Sequence, residues 1–308
     1  MRRVPKKVPE FAWCEVCERN PPMRAYPLPI LLIGLGCSVD PKAESQHAAS
    51  PLEQCEDGPT LFGRPEAATG LGSDQCGPAC TCGGETFAPA AVSAEQLADL
   101  RERRLVEPYG ELLEDPYGVA DSGPSQSAAD GSEETPDGQG VCAVVPLGGV
   151  DYRLQTFTDF DAAQAAGAVP THTGGCGLCS TLTDLAAYMA NNDLTEPVRE
   201  CGLRYFSGPM EEHVQCLEML GFTRPCAQIW YWNTLYTRSM CLDECLAALD
   251  APYNQPDGSL NPCLQCDEDQ SGPVFKRVAG RTRRNTGLPN AICRPCSEVW
   301  PLEHAYPR

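Results

Sequence analysis

The chain has 308 residues, enough for two average domains, and carries 19 cysteines and a net charge of −19. The charge is uneven: residues 1–37 hold 6 basic and 3 acidic groups, 38–140 hold 5 and 20, and 141–308 hold 12 and 19. Such acidity argues against nucleic acid as a partner of the whole molecule, and so many thiols argue against a reducing compartment unless metals or catalysis employ them.

Pro27 to Gly36, PLPILLIGLG, is uncharged, mostly apolar and ends at Cys37. It is too short to span a bilayer as a helix, which takes about 20 apolar residues, and has the length of a signal-peptide apolar region. Arg24 precedes it, with Arg2, Arg3, Lys6 and Lys7 further upstream. The run Gly34-Leu35-Gly36-Cys37 resembles the lipobox of bacterial lipoproteins, with Gly34 where that motif prefers Leu. The resemblance implies a signal over residues 1–36, lipidation of Cys37 and a membrane partner reached through the lipid. Met23 is a better start for such a signal than Met1, so residues 1–22 would lie outside the translated protein. The other reading is a buried strand in a cytosolic protein, with Cys14 and Cys17 forming half of a zinc site. Export is favoured because no second half-site follows nearby. Removing Cys14, Cys17 and Cys37 leaves 16 cysteines, an even number that permits complete pairing.

Residues 37–140 read as an acidic, low-complexity tether, with Cys55, Cys76, Cys80 and Cys82 embedded in its first part. Ser93 and Gln96 form a capping-box pattern, and Leu97, Leu100 and Leu105 extend it into a short helix near 93–106. Beyond residue 107 the stretch buries too little apolar surface to offset its chain entropy, and a disordered linker is expected.

The composition changes at Val141, where a cysteine-rich globular domain is expected to run to residue 308. Cys142–Pro146 and Tyr152–Phe157 read as strands about Gly148-Gly149, and Asp159–Ala168 as a helix. Thr181 and Asp184 make a second capping box, followed by Leu182, Leu185, Ala186 and Met189 at helical spacing. Further helices are predicted from about Pro209 to Leu220 and from Thr223 to Leu249. The last segment shows little periodicity and is expected to take its shape from cysteines. The fold class is therefore α+β, mainly helical and disulfide-rich, a single domain behind a long acidic linker.

The sharpest chemical cluster is Thr171-His172-Thr173-Gly174-Gly175-Cys176-Gly177-Leu178-Cys179-Ser180, a glycine-rich loop entering a capped helix. A helix N-terminus favours anions and lowers a thiol pKa. Cys179 is thus a candidate nucleophile or a redox partner of Cys176, with His172 as base. The string resembles the papain-type cysteine-peptidase motif over fewer than ten positions. It departs from that motif at Thr173, where the family has an oxyanion-stabilising Gln, and at Ser180, where it has Trp. The resemblance would make His304 the base. The competing reading, favoured here, is structural disulfides anchoring a loop to a helix. A thioredoxin-like role would need parallel-sheet alternation after the helix, which the sequence lacks.

Lys276, Arg277, Arg281, Arg283 and Arg284 form a basic run in an acidic protein and are candidates for binding an anionic small molecule or a protein partner. Balance against Asp267, Glu268 and Asp269 is the alternative. Cys263/Cys266 and Cys293/Cys296 could form a zinc ribbon, but their wide separation makes disulfides the simpler outcome, and no metal or other cofactor is expected. Cys241 and Cys245, one helical turn apart, should staple two partners rather than each other. Trp230, Tyr231, Trp232 and Tyr236, with Asn233, could line a pocket and are read as core. The functional reading is an exported, lipid-anchored protein of the bacterial cell envelope with a binding or structural role. The alternative is an enzyme joining His172, Cys176 and Cys179 to the arginines.

Overall fold

A strand pair closed by two adjacent glycines organises the larger sheet. The computed structural model describes residues 61–82, 85–118 and 140–308, with backbone only at Cys82 and Glu85, and all of these lie in one compact unit. The expected signal, Cys14, Cys17, Cys37 and Cys55 lie outside the described residues, as does the middle of the expected linker.

In chain order the strands and helices begin with β1 (Leu61–Phe62), β2 (Cys76–Gly77), β3 (Cys80–Cys82), β4 (Glu85–Phe87), α1 (Ala94–Glu102) and β5 (Arg104–Leu105). Then come β6 (Val141–Gly148), β7 (Asp151–Phe157), α2 (Phe160–Ala165), β8 (Val169–Thr173) and α3 (Leu182–Ala190). The remainder is α4 (Thr195–Arg204), α5 (Met210–Glu218), α6 (Arg224–Ala247), α7 (Pro262–Gln270), α8 (Gly272–Ala279) and β9 (Arg294–Pro295). The fold is α+β and mainly helical, with seven disulfides among the described residues.

The larger sheet has the order β5-β7-β6-β8. β6 and β7 pair antiparallel, Val141 facing Phe157, and Gly148 and Gly149 turn the chain at φ +99° and +63°, values that a side chain disfavours. β8 lies antiparallel to β6 on the other side. Both predicted capping boxes form: Ser93 accepts from the Gln96 N–H, and Thr181 from the Asp184 N–H. Helix α3 packs on α1, and its Leu182, Leu185 and Ala186 are wholly buried in the core that also holds Val214 and Leu217 of α5 and Ala227 and Ile229 of α6. Each such leucine contributes roughly 1.5–3 kcal/mol of burial.

Two expectations change. Residues 61–118, read as tether, belong to the same unit as 141–308. Cys76 bonds Cys293 and Cys80 bonds Cys296, β5 pairs with β7, and Leu100 of α1 enters the main core. Covalent bonds across 217 and 216 residues hold what the polar composition would not. The aperiodic segment after 261 contains two helices, α7 and α8, whose prolines sit in first turns, where no amide hydrogen is required. Cys241 and Cys245 reach across to Cys266 and Cys263, stapling α6 twice to α7 as expected from their spacing.

Candidate functional site

The loop 174–180 sits backbone-to-backbone against 278–280. Leu178 and Cys179 donate their amides to the carbonyls of Val278 and Ala279, both at 2.9 Å. A Cβ at Gly177 would stand 2.5 Å from the Val278 oxygen, and one at Gly280 would stand 2.6 Å from the Gly177 nitrogen. These glycines therefore permit two protein segments to meet.

Within that contact, Cys176 is bonded to Cys142 and Cys179 to Cys226. Neither sulfur is a thiolate, so neither can attack a substrate in this state. His172 is 0 % exposed, with Nδ1 at 2.9 Å from the Thr173 carbonyl and Nε2 at 2.7 Å from Ser180 Oγ. The carbonyl can only accept, so Nδ1 carries the proton and Nε2 accepts from Ser180, whose oxygen in turn accepts from the Gly177 amide. The imidazole is satisfied and neutral. Burial, reinforced by Arg281, holds its pKa well below the usual range. The Ser–His pair has the spacing of a catalytic dyad, yet both side chains are sealed from solvent. His304, the base the peptidase resemblance implied, is engaged by the Thr286 carbonyl and the Tyr306 hydroxyl, each at 2.9 Å.

The five basic residues of 276–284 separate into different roles. Arg281, 0 % exposed, spends its guanidinium on Thr171, Cys179, Ser180 and Thr286, at 2.7–3.3 Å. Lys276 and Arg284 converge with Arg294 on Glu268, at 3.0, 2.6 and 2.7 Å. Burial pushes the Glu268 carboxyl up, but Arg294, Arg284 and Lys276 outweigh it and hold the pKa at about 2. Arg277 is exposed on α8. Arg283 differs from all of these. It is 8 % exposed, donates Nη1–H to the Pro289 carbonyl at 3.2 Å and Nη2–H to that of Asn191, and leaves Nε–H unpaired. Among the described residues no carboxylate lies within ion-pair distance of it. Burial depresses its pKa to about 10.

Arg283 lines a cavity of about 340 Å³ enclosed by α3, α4, α6, α7, α8 and the loop before β9. That volume falls within the range of about 300–1,000 Å³ common for small-molecule sites. Its walls are chiefly apolar, with Tyr188, Leu194, Val198, Trp230, Phe275 and Leu288 among them. Leu203, Phe206, Leu242, Leu246 and Leu249 also line it, although each is exposed, Leu203 by 62 %. Trp230 and Asn233, read from sequence as core, are wall residues here. The Tyr188 hydroxyl lies beside the Trp230 indole, yet neither completes a hydrogen bond of normal geometry, and Asn290 Oδ1 on the same wall is likewise unpaired.

Cys263 and Cys266 bond to α6, and Cys293 and Cys296 to β2 and β3, so each CxxC pair is divided between separate partners and no ribbon of thiolates assembles. Sequence reasoning missed Tyr188 and the leucine lip. The available signal was the apolar residues Leu203, Leu242 and Leu246, which the helical period of α4 and α6 leaves facing water, with Phe206 and Leu249 just past the helix ends.

Residues 210–302 match a family model described as a family of unknown function (DUF8771). No curated protein and no solved structure matches the chain. The matched stretch supplies Trp230, Phe275 and Arg283 to the cavity, whereas Tyr188 and α4 lie outside it. Among the described residues, no helix is long and apolar enough to cross a membrane.

Proposed function

We propose that the chain is an exported protein of the bacterial cell envelope, lipidated at Cys37, whose globular unit binds a small ligand and performs no thiol chemistry at 172–179. The carrying observation is that all fourteen cysteines with described side chains are paired, an arrangement that persists in oxidising compartments and fits an extracellular or envelope location. The spread of the bonds supports this reading. They join distant segments rather than forming one exposed neighbouring pair of the kind that cycles in redox enzymes. The binding role rests on the cavity, whose apolar walls carry a few unpaired polar groups.

Two measurements on the full chain test these parts separately. Metabolic labelling with an alkyne fatty acid, followed by membrane fractionation, should place the label in the membrane fraction, and Cys37→Ser should abolish both label and membrane association. An unlabelled, soluble wild type removes the anchor. Alkylation of the native, unreduced protein should leave Cys176 and Cys179 unmodified, with both labelled after reduction. Labelling of native Cys179 would restore the cysteine-nucleophile reading.

A further inference from the structure

The cavity combines three features that an ordinary packing defect does not. Its walls are apolar, and its mouth is ringed by exposed leucines and a phenylalanine. Its lining includes a buried guanidinium, that of Arg283, which among the described residues has no carboxylate in ion-pair contact, Asp193 acting on it only from further away. Beside that cation the Trp230 indole N–H and the Tyr188 hydroxyl lie against each other without completing a hydrogen bond of normal geometry, which leaves the hydroxyl proton without an acceptor. Tyr188 and Arg283 are neighbours, the guanidinium carbon standing 5.8 Å from the ring centroid, and Trp230 adjoins Tyr188. Buried polar groups are normally paired, and a buried cation normally has an anion. Here Arg283 Nε–H and the Tyr188 hydroxyl lack acceptors, while Asn290 Oδ1, which also lines the cavity, lacks a donor.

Building on the binding role above, we propose that the cavity takes an amphiphilic carboxylic acid of the fatty-acid class, its carboxylate received by Arg283, Trp230 and Tyr188 and its chain running out past α4 and α6. A carboxylate supplies several lone pairs and one negative charge, which answers three donors and one cation together. The chain accounts for the lip: Leu203 of α4 with Phe206 just after it, and Leu242 and Leu246 of α6 with Leu249 just after it, would be covered by methylenes. A small inorganic anion would satisfy the donors but leave the apolar walls unused. A neutral hydrocarbon would fill the walls but leave the cation unmatched.

The test uses delipidated full-length protein with dodecanoate, butanoate and dodecanol as probes in isothermal titration calorimetry. Dodecanoate should bind one to one, with affinity rising about fourfold for each methylene added between four and twelve carbons. Dodecanol should bind at least tenfold more weakly than dodecanoate, and Arg283→Gln should weaken dodecanoate by about 10–100-fold while leaving dodecanol unchanged. Leu246→Asp, on the exposed lip and remote from the core, should weaken both long-chain probes and leave the fold intact by circular dichroism. Equal binding of dodecanoate and dodecanol, unaffected at Arg283, would overturn the carboxylate assignment while leaving a binding cavity. Failure of both long-chain probes would overturn the ligand class, with the Cys37 result standing independently. A dimer in sedimentation that Leu246→Asp dissociates, without dodecanoate binding, would assign the lip to a second copy and overturn the proposal.

Discussion

The paired staples Cys76–Cys293 and Cys80–Cys296 should be strongly coupled, and the coupling can be calculated from the chain. The separations are 217 and 216, but the retained bonds Cys142–Cys176, Cys179–Cys226 and Cys241–Cys266 shorten the covalent path, so each bond alone closes a loop of roughly 110 residues. In the loop-entropy description a closure of that length restricts the unfolded chain by about 4.8 kcal/mol at 25 °C. Once one bond is present, the other closes only a small ring, four residues from 76 to 80 and three from 293 to 296. A ring of about seven residues is worth only about 2.4 kcal/mol. Replacing either pair with alanine should therefore cost about 2.4 kcal/mol through chain entropy, while replacing both should cost about 7 kcal/mol, an excess of about 2.4 kcal/mol over additivity. Losses from burying less sulfur enter each step equally and cancel from the excess. Urea unfolding followed by tryptophan fluorescence, on the wild type, both single-pair variants and the four-alanine variant, measures it. Additive losses within about 0.5 kcal/mol would show that residues 61–82 are held by non-covalent packing, and that the account of their place in the domain is mistaken.

Arg281→Met should destabilise by roughly 3–5 kcal/mol in urea, because it strands the Thr171, Cys179 and Ser180 carbonyls, whereas Arg283→Met should cost about 1–2 kcal/mol less, because it strands only the Pro289 and Asn191 carbonyls and relieves a desolvated charge; equal losses would refute the distinction. His172 and His213 are buried and His304 half-buried, all neutral, with desolvation driving the first well below the ordinary value and the other two to about 4. Only the unfolded chain gains protons there as pH falls through about 6.5 towards 4, so each should lower stability by on the order of 2 kcal/mol between pH 8 and 5. Asp184 opposes this in part: burial raises its pKa to about 6, so protonation favours the folded state below that pH, and a melting temperature that does not fall between pH 8 and 5 would refute the net sign. Glu268, held at about 2 by its three cations, stabilises fully above the unfolded carboxylate value and loses that contribution as pH falls from about 4.5 to 2, so Glu268→Gln should flatten the melting-temperature profile in that window alone.

The sequence made local structure legible wherever a side chain acts on its own backbone. Thr181 with Asp184 and Ser93 with Gln96 announced their helices because capping is a contact over three residues. Helices α7 and α8 were hidden because Ser271 alone separates them and because Pro262 and Pro273 look like breakers until their place in a first turn is known. Residues 61–82 read as tether because composition measures apolar burial and is blind to a covalent bond 217 residues away. The spacing of Cys241 and Cys245 implied a staple to a neighbour, yet nothing in the spacing distinguished α7 from any other partner.

The site was legible only as a list of basic residues, and the reason lies in Arg281 and Arg283. They are separated by a single residue, both are buried, and neither has a carboxylate in ion-pair contact among the described residues. A guanidinium has five N–H donors. At Arg281 every donor direction finds an oxygen, two on Thr171 and one each on Cys179, Ser180 and Thr286, so the cation acts as the bolt between the 171–180 loop and the segment after α8. At Arg283 two carbonyls, those of Pro289 and Asn191, are all the fold supplies. A desolvated charge with surplus donors is retained in a stable protein only if something else meets it, and the wall on which it stands is the apolar cavity. Burial and charge are the same at the two positions; what separates a structural arginine from a binding one is the number of acceptors the fold itself provides.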